Sequence, residues 1–295
     1  MPLFWYSVVM LERPENSTEL LTTGAAVLAL LAACMGNLFL LTRVWRPFTG
    51  GMRVWAQRLA RPFGTLEIAL AASCVLIVAL PAAWSAGFAP AVDPARAAPS
   101  PTVVAVLLPA VMLYAVWCGA AVYCARFRGC RLRDVFLNWI PAQRPLANGV
   151  VLGAAMVAPV LVVSVLSFEL CGRIGLGDAP QDVFALLTEP GNGLAMRVAV
   201  IGLAVIAAPV AEEVLFRGLL FPALLARSGS FSRALVLQAL FFGVIHAHLP
   251  TFLPLTVAGA CFALGYAVTG SLVTPILMHM IFNATSIVFF FAAVE

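Results

Sequence analysis

Long apolar runs, separated by short polar or arginine-rich stretches, follow one another along almost the whole chain. Their lengths are close to the roughly 20 residues that an α-helix needs to cross a bilayer. The pattern predicts eight runs, at about Leu20–Leu41, Leu66–Phe88, Thr102–Ala125, Val150–Leu170, Val198–Arg227, Ser232–His248, Thr251–Thr269 and Ser271–Val294. We therefore predict an all-α fold, a polytopic membrane helical bundle of about eight transmembrane helices.

The composition agrees with a membrane protein and argues against other classes. Of the 295 residues, 63% are hydrophobic and only 10% are charged, which is far outside the range of soluble domains. The net charge of +4 comes from arginines scattered between the apolar runs, and this pattern gives no case for nucleic acid as a partner. The seven cysteines lie mostly in or beside apolar runs without a CxxC pair, which indicates buried thiols.

The distribution of charge predicts how the chain crosses the membrane. Arginine clusters follow the first and third runs, and the positive-inside rule places both in the cytoplasm. The stretch 171–193 carries an acidic excess, which suits the outside. With eight spans, both termini are predicted outside, in what we expect to be a bacterial inner membrane. The clusters are Arg43, Arg46, Arg53, Arg58 and Arg61, and then Arg126, Arg128, Arg131, Arg133 and Arg144.

Short elements are also predicted between the apolar runs. Helical spacing of apolar residues over 132–140 predicts an amphipathic helix on the inner membrane surface, with a plain connector as the alternative. A second short helix is predicted at Val183–Leu187. Residues 1–18 lack the basic region of a cleavable signal, so the first span is expected to be retained. We divide the chain into a three-span region, 1–145, and a second domain, 146–295.

Three charged side chains stand close together inside the fifth apolar run. They are Glu212, Glu213 and Arg217. Each costs about 2.5–3.5 kcal/mol at the centre of a membrane helix, so they are expected to face polar partners or a water-filled cavity. Glu213 and Arg217 lie four positions apart on one helix face, which predicts an ion pair. Glu212 is rotated by about 100° from its neighbour, which leaves it without a local counter-ion and makes it a candidate proton acceptor.

Two residue pairs on later runs could meet this acid. Phe242 and His246 are four positions apart, so they share one helix face. The same spacing joins His279 and Asn283. At 1.5 Å per residue, Glu212 and His246 both lie about 21 Å from the inner ends of their predicted helices. We therefore predict that Glu212, His279, His246 and Asn283 face one common cavity.

These three motifs, in this order, resemble those of a known family. Glu212-Glu213-x-x-x-Arg217, Phe242-x-x-x-His246 and His279-x-x-x-Asn283 are similar to the motifs of the CPBP family of intramembrane proteases, the CAAX-processing and bacteriocin-processing (Abi) enzymes. The resemblance covers about Leu146 to Val294. Three ordered motifs on successive membrane helices are far more specific than the acidic motif alone.

The resemblance implies an intramembrane endopeptidase that uses glutamate-activated water. Glu212 would take a proton from water that His246 helps to orient. His279 and Asn283 would donate hydrogen bonds to the oxyanion that forms at the scissile carbonyl. Phe242 is expected to shape the pocket.

The supporting residues and the cofactor requirement are separate expectations. Glu213 and Arg217 are expected to position the acidic helix through their ion pair. No cofactor is expected. The alternative is a zinc metalloprotease in which Glu212, His246 and His279 bind the metal. Against it, the chain lacks the HExxH spacing of known zinc proteases.

Two non-proteolytic functions are also considered, together with the expected partners of the protein. A transporter or a non-catalytic membrane scaffold could also use intramembrane charges, but neither explains the third motif, and the sequence shows no inverted repeat. The expected partners are the lipid bilayer and a membrane-protein or lipidated-peptide substrate. The substrate's identity, a role for prenylation and the oligomeric state stay open.

Overall fold

The computed structural model describes residues 59, 61–88, 102–136, 144–176 and 182–294, and the regular elements in these ranges are all helices. The predicted first span, the arginines up to Arg58 and the loop at 89–101 lie outside the described residues. The helices are α1 (Thr65–Phe88), α2 (Val103–Phe127), α3 (Leu132–Phe136), α4 (Pro145–Arg173), α5 (Asp182–Thr188), α6 (Leu194–Ser228), α7 (Phe231–Val244), α8 (Leu249–Thr269) and α9 (Val273–Val294).

Five of the described helices, α2, α4, α6, α8 and α9, are long and apolar enough to cross a membrane. An all-α, multi-pass membrane protein is therefore confirmed, whereas the count of eight spans is not. The short helix predicted at Val183–Leu187 is present as α5. The start of the predicted amphipathic helix is present as α3, and its remainder at 137–140 lies outside the described residues.

The prediction for the sixth span is wrong in its end point. Its helix, α7, stops at Val244 and not at His248, and it contains 14 residues. Such a helix is about 21 Å long, which is less than the hydrocarbon thickness of about 30 Å. A short turn leads directly into α8. Non-helical backbone at membrane depth is tolerated where it is buried in protein or lines a cavity.

One end of the bundle collects most of the arginines, and we call it the arginine-rich end. Two bonds between Arg128 and Glu67, at 2.6 and 3.0 Å, join the end of α2 to the start of α1. The hydroxyl of Thr274 donates to the carbonyl of Pro145 at 2.9 Å, which joins the starts of α9 and α4. The end carries Arg61, Arg126, Arg128, Arg131, Arg133, Arg144, Arg227 and Arg233.

A separate hydrophobic cluster forms the opposite end of the bundle. It joins α5 to the start of α6 and the end of α9, with residues from the start of α2 packed against it. The rings of Phe184 on α5 and Phe290 on α9 are 4.5 Å apart. Leu187 on α5 is fully buried in the same cluster. The short helix α5 therefore covers this end of the bundle.

Two glycines let α4 and α9 approach each other closely. A Cβ atom at Gly149 would lie 2.9 Å from the Cβ of Leu277, and one at Gly153 would lie 3.1 Å from the Cα of Met278. The two glycines are four positions apart, which is the small-residue spacing of closely packed membrane helices. This packing fixes the stretch of α9 that carries the third motif.

Candidate active site

The acidic motif lies between two π-helical segments of α6. Leu203–Ala207 and Val214–Leu220 adopt this wider helix, and Ala208–Glu213 between them is α-helical. The amide of Ala208 donates to Leu203, five residues back, as the π register requires. π segments are rare and occur frequently at functional sites. The sequence analysis did not predict them.

In the first π segment, the side chain of Asn283 replaces a backbone hydrogen bond that Pro209 cannot make. In the π register, residue 209 would donate its amide to Ala204, but Pro209 has no N–H. The Nδ2 of Asn283 donates to the carbonyl of Ala204 instead, at 2.8 Å. Asn283 therefore ties α9 to α6 beside the acidic motif. Because a carbonyl can only accept, this bond also fixes the orientation of the Asn283 amide.

We expect Asn283→Ala to lower the free energy of unfolding by about 1–3 kcal/mol, because it leaves the carbonyl of Ala204 without a donor. In a Pro209→Ala background the new amide can donate to Ala204, so the same change should cost less. Denaturant unfolding of purified protein in detergent, with Pro209→Ala alone as the reference, measures the difference. An equal loss in both backgrounds would contradict this account of the contact.

The predicted ion pair between Glu213 and Arg217 is confirmed. Their Oε1 and Nη1 atoms are 2.7 Å apart, and both side chains are fully buried. The Nη2 of Arg217 donates to the carbonyl of Gly259 on α8 at 2.7 Å. Its guanidinium lies over three phenylalanine rings, at 4.9 to 5.7 Å from their centroids; these are Phe216, Phe242 and Phe262. Arg217 thus links α6 to α7 and α8.

The same carboxylate also forms a hydrogen bond with His279, and the sequence analysis did not predict this contact. The Nδ1 of His279 is 3.0 Å from the Oε1 of Glu213. The ring of His279 stacks on Phe262, with centroids 4.6 Å apart and planes inclined by 21°. An ionised carboxylate only accepts, so the Nδ1 of His279 carries a hydrogen. No local sequence signal joins the two residues, because they are 66 positions apart on different helices.

Glu212 and His279 approach each other without forming a hydrogen bond. The Nε2 of His279 is 3.9 Å from the Oε2 of Glu212, and that oxygen has no hydrogen-bond partner among the described residues. The two carboxylates and the guanidinium of Arg217 together carry one excess negative charge. The ring of His279 thus has one nitrogen near each of the two carboxylates.

His246 lies in the turn beyond α7, and not on the helix itself as predicted. Its Nδ1 is 2.9 Å from the carbonyl oxygen of Phe242, which can only accept. In a neutral ring, Nδ1 therefore carries the hydrogen and Nε2 is left as an acceptor. The ring of Phe242 lies 5.3 Å from that of His246 and 5.6 Å from that of His279. Phe242 is fully buried and packs between the two histidines.

A cavity of about 330 Å³ contains most of this arrangement. Glu212, His246 and Asn283 line it, and His279 does not. The Nε2 of His279 is 3.9 Å from the Oε2 of Glu212, and His279 is 3% exposed. The structure thus brings three of the four predicted residues to one cavity and the fourth into contact with the acidic motif. The other lining residues are mostly apolar, with the hydroxyls of Tyr114, Ser164, Thr251 and Ser286 between them.

The hydrogen bonds of the two histidines show which ring nitrogens are already engaged. Within the described ranges, no three His, Cys, Asp or Glu side chains are grouped as metal ligands. His279 uses its Nδ1 for Glu213, and His246 uses its Nδ1 for a backbone carbonyl. What the cavity offers is two acceptors, the carboxylate of Glu212 and the Nε2 of His246.

Two comparisons with known proteins find similarity to membrane peptidases, as the three motifs do. Residues 194–285 match the family model described as type II CAAX prenyl endopeptidase Rce1-like. A Bacillus subtilis (strain 168) protein named "Putative membrane peptidase YdiL" is 36% identical over 78 residues, or 26% of this chain and 32% of that protein. The chain thus matches about a third of the length of this curated relative. No solved structure matches the chain.

Proposed function

We propose that this protein is an intramembrane endopeptidase, because residues 194–285 match the Rce1-like family model. The observation that carries the proposal is the pair of acceptors, Glu212 and His246, on one cavity inside a bundle of membrane helices. The segment similar to a named membrane peptidase supports the same reading. The substrates are membrane proteins or lipid-anchored peptides, and the protein works in a bacterial inner membrane.

Water is activated by Glu212 and oriented by His246. A water molecule can donate one hydrogen to the carboxylate of Glu212 and the other to the Nε2 of His246. Glu212 then takes the first proton as the water oxygen attacks the scissile carbonyl. Glu212 lines the cavity, so water that enters the cavity can reach this side chain, which supports the role.

The oxyanion is stabilised by His279 and Asn283. Because the Nδ1–H of His279 is directed at Glu213, only a protonated Nε2 can donate to the oxyanion. The Nδ1–H of His279 keeps its bond to Glu213 while the oxyanion forms. Asn283 has a second amide hydrogen besides the one that binds Ala204, and it lines the cavity. Glu212 finally returns its proton to the amine that leaves when the C–N bond breaks.

The reaction is tested by comparing the membrane proteomes of cells that carry the wild-type protein or Glu212→Gln. A fragment of a membrane or lipid-anchored protein should be present with the wild type and absent with the variant. A matched control is Glu169→Gln, which changes an exposed acid on α4 and should leave the fragment in place. Identical proteomes in all three strains would contradict the proposal.

The proposed mechanism needs no metal, and His279 separates it from the zinc alternative. His279→Ala should lower turnover by about 10²–10³, the effect of losing one oxyanion donor. A strong chelator should leave the wild-type activity unchanged. Elemental analysis of the purified, active protein measures the metal directly. Stoichiometric zinc that is lost together with activity in His279→Ala and His246→Ala would overturn the glutamate mechanism.

A further inference from the structure

We infer that the cavity is reached from the extracytoplasmic side of the membrane, past the short helix α5 that covers this end of the bundle, so that the substrate is an exported polypeptide cleaved in the outer half of the bilayer. The inference rests on the proposed function for its substrate. The side from which the cavity is reached is argued from the structure and its charges, and it does not depend on the proposed function.

The lining residues lie in one half of the bundle and at its middle, where Glu212, Phe282 and Asn283 stand near the midpoints of α6 and α9. α2, α6 and α8 contribute residues from their first halves, such as Val106, Val200 and Thr251. α4 and α9 contribute from their second halves, through Ser164 and Ser286. These halves converge on the end covered by α5, which itself adds Val183, Phe184 and Leu186 to the lining. The cavity therefore extends from Glu212 towards the end opposite the arginines.

The other half of the bundle is closed by packed side chains. Beyond Glu212 along α6, the residues Leu215, Phe216, Leu219, Leu220 and Phe221 are all fully buried. On α8, Phe262 and Tyr266 are fully buried in the same core cluster. Such close packing leaves no space for water or a peptide. Access from the arginine-rich end is therefore blocked in the described structure.

The charges assign the two ends to the two sides of the membrane. The described residues place eight arginines at the arginine-rich end, against the acids Glu67 and Asp134. Glu67 is fully buried and paired with Arg128, so it cancels the charge of one arginine and leaves most of the excess in place. At the opposite end, the described residues place Arg173 and Arg197 against Glu169, Asp182 and Glu189. Since short cytoplasmic loops carry the excess of arginine, the cavity end is extracytoplasmic.

This placement restricts the class of substrate. A polypeptide whose anchor and cleavage site stay on the cytoplasmic side, such as a lipidated cytoplasmic tail, would meet the closed half of the bundle. A cavity of about 330 Å³ is also small, at the lower limit of the volumes that hold small ligands. It accepts a short extended stretch of chain. The substrate is therefore a translocated polypeptide whose scissile segment enters unfolded from the outer leaflet or the outside.

Site-directed labelling tests the side of access without any substrate. Single cysteines are placed in a variant whose seven native cysteines are replaced, at Ser286 or Val183 in the cavity, at Glu189 on the opposite end and at Arg131 on the arginine-rich end. A charged, membrane-impermeant thiol reagent is applied to right-side-out and to inverted vesicles. We expect Ser286→Cys, Val183→Cys and Glu189→Cys to react in right-side-out vesicles only, and Arg131→Cys in inverted vesicles only.

Several outcomes would overturn the inference. Cavity cysteines that react together with Arg131→Cys in inverted vesicles would place the opening in the cytoplasm. Cavity cysteines that stay unlabelled from both sides, while Glu189→Cys reacts, would mean that the cavity is closed. Because labelling needs no proteolysis, a protein that labels as expected but cleaves nothing would count against the proposed function alone. If it does cleave, new termini on the cytoplasmic side of substrate anchors would refute the substrate class.

Discussion

Glu212→Gln should abolish cleavage while leaving the amount of folded protein close to that of the wild type. The amide has nearly the same shape as the carboxylate but cannot take a proton from water, and loss of a general base alone costs about 10²–10⁴ in rate. Folding should be spared because the Oε2 of Glu212 makes no hydrogen bond that the described residues record. Turnover of a natural substrate by purified protein, with size-exclusion chromatography for the folded fraction, measures both quantities.

Glu213→Gln is the matched control for this prediction, since it is the same change at the next residue. The carboxylate of Glu213 binds both Arg217 and His279, so its loss should reduce the amount of folded protein as well as the activity of what remains. The sequence alone predicted the ion pair with Arg217 but not the contact with His279. If both variants lost folded protein equally and kept normal specific activity, the acidic motif would be purely structural.

Arg217→Met should be the most destabilising single substitution in the described core. It leaves the fully buried carboxylate of Glu213 with only His279 as a partner, and breaking a buried ion pair in this way costs about 3–5 kcal/mol. The double variant Glu213→Gln/Arg217→Met removes both charges, so it should be more stable than Arg217→Met alone. Denaturant unfolding of the three proteins in detergent measures this comparison.

An exposed pair of the same spacing serves as the reference. Arg173 and Glu169 on α4 also lie four positions apart, with an Nη2–Oε1 distance of 2.7 Å, but the Arg173 side chain is 75% exposed. Arg173→Met should change stability little, because exposed ion pairs contribute little. A double variant at positions 213 and 217 that is no more stable than Arg217→Met would show that the unpaired carboxylate is not the cause of the loss.

The parts of the fold that depend on local pattern could be predicted from the sequence. The long apolar runs at α4, α8 and α9 are close to the predicted bounds, because burial in lipid requires an uninterrupted apolar segment. The pair of Glu213 and Arg217 was predicted because both residues lie on one helix face, so no knowledge of the tertiary structure was needed.

The parts that depend on packing between helices could not be predicted. The hydrophobic pattern does not indicate that α7 ends at Val244, because the apolar run continues through Ile245 before the turn at His246. The contact of Glu213 with His279 depends on how α6 and α9 meet. The π segments had one available signal: Pro209 and Pro222 each lie two residues beyond such a segment, and each lacks the amide hydrogen that a regular helix would use.

The position of Glu213 and Arg217 on one helix also bears on the order of events during biosynthesis. When α6 enters the translocon, α8 and α9 have not yet reached the membrane, so neither Gly259 nor His279 is there to bind these charges. The ion pair within α6 already neutralises two of its three charges at that moment. Glu212 alone must stay hydrated or protonated until His279 arrives. We therefore expect α6 to integrate stably on its own, with its final side-chain contacts made only after the last helix is complete.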